Sequence, residues 1–117
     1  MDTLVNILKN NKHITQNEIV IVKRILTFGI IAKVVSDVTK INVLCFSMQI
    51  RKREIVTARH LFCYFAKLMT NKSLTDIGRY IDRDHATVMH AIKKINNLLS
   101  YHEETNSQVM RISELLY

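Results

Sequence analysis

Residues 83–95 read RDHATVMHAIKKI. Arg83, Asp84 and His85 stand together, and His90, Lys93 and Lys94 follow at helical spacing. Two chemistries use residues of this kind. A His/Asp cluster can hold a metal ion for nuclease-type hydrolysis. A helix with basic side chains along one side can bind a polyanion. The spacing disfavours the metal. His85 and His90 are separated by about 500° around a helix of 3.6 residues per turn, so they do not form the i, i+4 pair that zinc-binding helices use. Asp82 and Asp84 lie near His85, but Asp84 directly precedes an apolar-periodic run. That is the N-cap position, where a carboxylate accepts the amides of the first turn. The other histidines, His13, His60 and His102, are scattered. No complete nucleophile–base–stabiliser set is visible. The expectation is therefore no enzyme, no metal and no cofactor.

The polyanion reading gathers support elsewhere. The formal net charge is +7, and it is unevenly spread. Residues 1–48 carry a net +3, residues 49–100 a net +6 and residues 101–117 a net −2. A basic middle with a neutral-to-acidic tail suggests a local polyanion footprint; on charge alone a generally basic, soluble surface is an equally good reading. Arg51, Lys52 and Arg53 make a compact basic cluster. Such a cluster can follow phosphates or push an arginine into a minor groove, although a basic triplet in a loop is more often simply solvated. Arg59, Cys63 and Lys67 stand at i, i+4 and i+8 on an otherwise apolar run, with His60 beside them. Their line is expected to face solvent or a partner.

The elements that must position these residues are helical. The 117-residue chain contains no proline and two glycines, Gly29 and Gly78, too few turn formers for a β-rich fold. Residues 2–10 and 15–28 carry helical patterns, the second opened by Thr15 and Glu18 as a capping-box pair. Gly29 is expected to bend or break the run before a helix over residues 30–40. Residues 43–48 suit one short turn. Residues 53–70 make a long central helix, apolar on most sides and hence deeply packed. Residues 73–81 form a short helix with Ser73 and Asp76 as its capping pair. The next helix follows Asp84 and extends to Leu99. On it, Val88, Ile92, Ile95 and Leu99 share a buried face, with Ala86, His90, Lys93, Lys94 and Asn97 mainly opposite. His85, Ala86 and Thr87 are left at its exposed start. Residues 106–116 close the chain.

A short capped helix, a turn of three or four residues and a second helix is the layout of a helix-turn-helix. In that motif the second helix enters the DNA major groove by its N-terminal end. Helix pairs are common, so the layout alone is a weak signal. A chain of this length is normally one domain with a core of its own. The start, MDTLVNILKNNKH, lacks the basic segment and cleavage site of a signal peptide. Residues 19–35 are apolar but interrupted by Lys23, Arg24 and Lys33, which argues against a membrane span. Cys45 and Cys63 have no ligand-like spacing and suit reduced cysteines of a cytoplasmic protein.

The stretch SLTDIGRYIDRDHATVMHAIKKI carries a family resemblance. It is similar to the signature of the C-terminal DNA-binding domain of the bacterial replication initiator DnaA: a Ser-Leu-x-x-Ile-Gly helix, then Arg-Asp-His-x-Thr-Val, then His-Ala and a lysine pair. Upstream, KINV, RKREIVTAR and AKLMTNKSL fall in register with the same pattern without a gap. The Arg-Asp-His-x-Thr-Val element in this helical context is highly specific. The resemblance covers about residues 30–117, weakening over the last fifteen. It implies an all-α, compact helical domain containing a helix-turn-helix, like the DnaA C-terminal domain and the Trp repressor. It also implies binding of double-stranded DNA at short asymmetric boxes, in replication initiation or its regulation.

Carried over by position, the resemblance makes Arg51 the minor-groove arginine, within the basic cluster that includes Arg53. Arg59 and Lys67 become backbone contacts, with His60 where the family usually has glutamine. Leu74 and Thr75 start the first helix of the motif near phosphate. Arg83 precedes the base-reading positions, which are Asp84, His85, Ala86 and Thr87, and His90 and Lys94 continue along the groove face. The sequence departs from the family in two places. Ala86 replaces the first of two adjacent hydroxyl residues, so the preferred site is expected to differ. The turn before Arg83 is one residue shorter than the family's and lacks its glycines.

Residues 1–29 are expected to be an N-terminal helical extension, separate from a DNA-binding domain at residues 30–117. Ile19, Val22, Leu26 and Ile30 can share one apolar stripe that covers the domain, dimerises weakly or docks on a host replication initiator. No G-x-x-x-x-G-K-[ST] phosphate loop is present. The expectation is a free-standing, cytoplasmic, nucleoid-associated reader of DNA boxes without ATPase activity, as a monomer or weak homodimer, of phage or mobile-element type or a regulator. The rival is a protein-interaction or oligomerisation module whose DNA binding is weak or non-specific.

Overall fold

The computed structural model describes residues 27–117, and the helical patterns expected over residues 2–10 and most of 15–28 lie outside them. Among the described residues five helices follow one another: α1 (Phe28–Thr39), α2 (Arg53–Met69), α3 (Leu74–Tyr80), α4 (His85–Leu99) and α5 (Glu103–Leu116). A 3-10 segment, Val43–Ser47, lies between α1 and α2.

Side chains that satisfy first-turn amides set most of the helix starts. Thr27 Oγ1 accepts the Ile30 amide, Ser73 Oγ the Asp76 amide at 3.1 Å, and Asp84 Oδ1 the Thr87 amide at 2.8 Å. At α5 the cap is a histidine: His102 Nδ1 accepts the Thr105 amide at 3.2 Å and lies 2.8 Å from the Thr105 hydroxyl. This cap starts α5 at Glu103, three residues before the expected position, because histidine is not among the usual N-cap residues. Gly29 breaks nothing. Thr27 is extended and caps α1, so Phe28 belongs to α1 and Gly29 lies inside its first turn. At the other end Lys40 stops α1 in the left-handed conformation (φ 63°), returning its amide to Ser36 O.

The long apolar α2 sits at the centre, packed against α1, α3, α4 and the 3-10 segment, while α5 closes over α1 and α4. One core gathers Ile31 and Val35 of α1, Phe46, Leu61, Phe62 and Phe65 around α2, Ile77 and Ile81 at α3, Val88 and Ile95 of α4, and Ile112 and Leu116 of α5. Phe62 is its aromatic hinge: Tyr80 stacks on it at 5.2 Å between ring centroids, and Phe28 meets it edge-on at 6.0 Å. These rings tie the start of α1 and the end of α3 to α2. The apolar face of α4 is Val88, Ala91 and Ile95, with Ile92 and Leu99 half-buried at its margins.

Candidate nucleic-acid interface

The turn between α3 and α4, Ile81–Asp84, sets the direction of α4. Arg83 N–H donates to Gly78 O at 2.8 Å and Ile81 N–H to the same oxygen at 3.1 Å, so the chain doubles back tightly over the end of α3. A Cβ on Gly78 would overlap the Arg83 carbonyl, so this close approach needs glycine. Asp82 takes the left-handed conformation, φ 56°. The residue before Arg83 thus adopts a glycine-like backbone without being glycine; aspartate is one of the few side chains that tolerate it.

At the end of this turn α4 opens outward. Asp84 is exposed and held by the Thr87 amide and hydroxyl, which lower its carboxyl below the usual range, with the cationic forms of His85 and His90 lowering it slightly further. His85 and Thr87 are exposed and Ala86 is half-buried. His90, Lys93 and Lys94 are exposed further along. Met89, a residue without charge or motif to mark it, is 39% exposed on the same outward side.

Beside α4 runs an open groove of about 720 Å³ between the start of α2, the side of α4 and the start of α5. Arg51, Arg53, His60 and Lys94 line it together. The sequence pattern also left out Thr57, Tyr101 and Gln108, which complete its walls. Thr57 belongs to α2, whereas Tyr101 and Gln108 are brought there by the docking of α5, which no local pattern encodes. Burial, then the charges of Arg59 and Lys94, lower the His60 pKa and favour its neutral ring. The N-terminus of α2 has no side-chain cap, and Arg51, Lys52 and Arg53 crowd it with positive charge. Cations at the positive end of a helix oppose local stability. Glu54 in the first turn offsets part of this charge, and the net basic balance still suits an anion there.

Two of the expected contact residues face elsewhere. Arg59 is 6% exposed, and its guanidinium is turned into the protein. Nε donates to Phe46 O at 2.8 Å, and Nη2 lies within hydrogen-bond distance of the Cys45, Met48 and Ile50 carbonyls, 2.9 Å from Met48 O. Cys63 in the same line is buried, and burial pushes its thiol up to about 12. The expected basic stripe therefore does not reach the surface as a line. Only Lys67, near the far end of α2, is exposed. The reason is the 3-10 segment and the loop before α2: the Phe46, Met48 and Ile50 carbonyls take Arg59 as a buried donor, while Cys45 O also accepts the Met48 amide. Arg83 is half-buried and also turns back on the chain, donating to Ile81 O, Asp82 O and Met48 O. Leu74 is half-buried against the core and Thr75 is exposed in the first turn of α3. Among the described residues no group of three or more His, Cys, Asp or Glu could hold a metal, and no helix is long and apolar enough to cross a membrane.

A short capped helix, a tight four-residue turn and a second helix with a polar outward N-terminus define a helix-turn-helix domain. The sequence model described as "Bacterial dnaA protein helix-turn-helix" matches residues 29–95, and the chain belongs to that family. Among its relatives are proteins named chromosomal replication initiator protein DnaA. The chain is 39% identical over 106 residues to that of Flavobacterium psychrophilum, covering 90% of this chain and 22% of the relative. It is 33% identical over 115 residues to that of a Wolbachia from Brugia malayi, covering 97% and 23%. It is 34% identical over 110 residues to that of Rickettsia canadensis, covering 93% and 24%. The chain thus spans about a quarter of the length of these relatives. The Wolbachia similarity also takes in most of residues 1–29, beyond where the sequence signature alone could be followed.

Proposed function

We propose that this chain binds double-stranded DNA sequence-specifically, at sites resembling DnaA boxes, in replication initiation or its control. Membership of the family and the relatives' name supply the setting. The observation that carries the reading is the Asp84-capped start of α4, exposed beside a groove lined by Arg51, Arg53, His60 and Lys94.

In this reading the N-terminus of α4 enters the major groove. His85 offers a ring nitrogen to a base edge, and Ala86 offers a methyl surface suited to a thymine methyl. Thr87 offers a hydroxyl whose position is fixed by Asp84. The loop carrying Arg51 reaches the adjacent minor groove, with Arg53 beside it. His60, Lys67, Thr75, His90 and Lys94 contact the sugar-phosphate backbone, and Leu74 packs beneath Thr75 at the start of α3. No residue of the chain is assigned to ATP hydrolysis, and no cofactor takes part. A nucleoid-associated place in the cytoplasm follows from the DNA partner.

Binding selection from a random duplex pool, followed by salt titration of the selected site, tests this. The expected result is a short asymmetric motif and a log K that falls linearly with log salt. Losing the phosphate contact of Lys94 (Lys94→Ala) should flatten that slope by about one. Featureless enrichment would remove sequence reading, and a salt-insensitive complex would remove the phosphate contacts.

A further inference from the structure

The loop that carries Arg51 is held from two sides at one atom. Met48 O receives Arg59 Nη2 from α2 at 2.9 Å and Arg83 Nη2 from the helix-turn-helix turn at 2.8 Å. Arg83 simultaneously donates through Nη1 to Ile81 O and Asp82 O, both at 3.0 Å. One planar guanidinium therefore bridges the turn that aims α4 and the loop that leads, three residues later, into Arg51. Arg59 adds the Phe46 carbonyl and approaches those of Cys45 and Ile50. Neither arginine has a carboxylate partner; the side-chain ion pairs among the described residues are Lys33–Asp37 and Arg79–Asp76. Two like charges converge on a single carbonyl, and Arg59 is disfavoured as a cation by burial and then by Arg83. An arrangement that carries this repulsion must be compensated by what it fixes.

We propose that Arg83 is a positioning residue which, with Arg59, clamps the basic loop and the recognition helix α4 at one fixed separation, so that the spacing between their two DNA contacts is itself read. This rests on the DNA-binding function proposed above. The two readers lie far apart in sequence, and the bond from Arg83 to Met48 spans 35 residues. Without it, Met48 O keeps the hydrogen bond from Arg59 of α2, and the direct bond to the motif's turn is gone. A site with an extra base pair between the two contact regions would then be tolerated by loop movement. With the clamp in place, one of the two contacts is lost.

The test uses the full chain, Arg83→Met and Arg83→Lys. Met keeps the apolar stem without donors; Lys keeps the charge but cannot bridge three carbonyls as a planar fork does. Binding is measured to the selected site and to duplexes with one base pair inserted or removed between its two contact regions. The wild type should lose about tenfold or more per altered spacing, the scale of one mismatched pair. Both variants should lose most of that discrimination while keeping the salt slope on non-specific duplex. The proposal is overturned if Arg83→Met flattens the salt slope by about one with spacing discrimination intact, and Arg83→Lys behaves as wild type. That pattern marks a phosphate contact. Amide hydrogen exchange over residues 48–53 in the free protein is the second readout. Faster exchange in both variants, with α1 and α5 unchanged, supports the clamp, and unchanged exchange overturns it. A wild type without any selected site would refute DNA reading, while the exchange result would still judge the clamp.

Discussion

Arg59 and Gly78 show how single residues here are chosen for the backbone they serve. Arg59 supplies donors to the Phe46 and Met48 carbonyls, and at 6% exposure water cannot replace it. Arg59→Met should cost roughly 1–3 kcal/mol of stability, because Phe46 O loses its buried donor, while Met48 O keeps Arg83. Urea unfolding measures the loss, and the salt slope of DNA binding should not change; a flatter slope would restore Arg59 as a phosphate contact. At Gly78 the requirement is absence of a side chain. A methyl group there meets backbone atoms of Arg83 and Asp84, which cannot swing away as a flexible side chain could. Gly78→Ala should destabilise by roughly 1–3 kcal/mol and misdirect α4. Thermal melting together with specific-site affinity would register both effects, and an unchanged affinity would mean that the turn absorbs the strain.

At the scale of the element, α4 divides its labour around its circumference. Val88, Ala91 and Ile95 fix it to the core, and that face leaves no freedom of rotation. The outward residues are consequently presented in one order, with His85, Ala86 and Thr87 in the first turn. Replacing Ala86 with Thr adds a hydroxyl to a half-buried position at the edge of that face. The expected outcome is a changed preference of about 1 kcal/mol at one base pair, with the rest of the site intact. His85→Ala should cost about 1–3 kcal/mol, mainly on the specific sequence. Selection experiments on both variants decide the matter: enrichment identical to wild type would show that the first turn of α4 does not read bases. The N-terminus of α2 is the complementary case, an uncapped start where three cations outnumber the single first-turn acid, Glu54.

The groove belongs to the molecule as a whole, since α2, α4 and α5 each contribute a wall. His60 sits in it with Arg51, Arg53, Glu54, Lys94, His102 and Glu104 around it. Its pKa is lowered in the folded protein, so the stability linked to its neutral form is fully present above the ordinary histidine value of 6.5. That stability is lost as pH falls through the lower folded value. A bound phosphate acts in the opposite sense, favouring the cation. The free protein should thus lose stability on acidification below about pH 6.5, while affinity for duplex DNA should rise over the same interval. His60→Gln should flatten both trends. Melting curves and binding isotherms between pH 5 and 7.5 follow them, and an affinity independent of pH in the wild type would place His60 away from the phosphates.

What the sequence determined by itself is local in origin. Helix starts at Ser73 and Asp84 are written in one cap residue and the first-turn amide it binds, and the buried face of α4 in a 3.6-residue period. The short helix, turn and second helix follow from these, as does the family signature over residues 73–95. The fates of Arg59, Cys63 and Arg83 are not local. A basic residue at regular spacing looks the same whether it meets phosphate or carbonyl, and the carbonyls that claim Arg59 and Arg83 lie 13 and 35 residues away in Phe46 and Met48. Packing the 3-10 segment and the α3–α4 turn against α2 brings them within reach. The left-handed Asp82 was equally hidden, because its conformation is imposed by the return of Arg83 to Gly78 and not by its own preference. Chain-local hydrogen bonds and periodicity thus determined the helices, whereas which charges face outward was decided by the unpaired backbone groups that tertiary packing placed beside them.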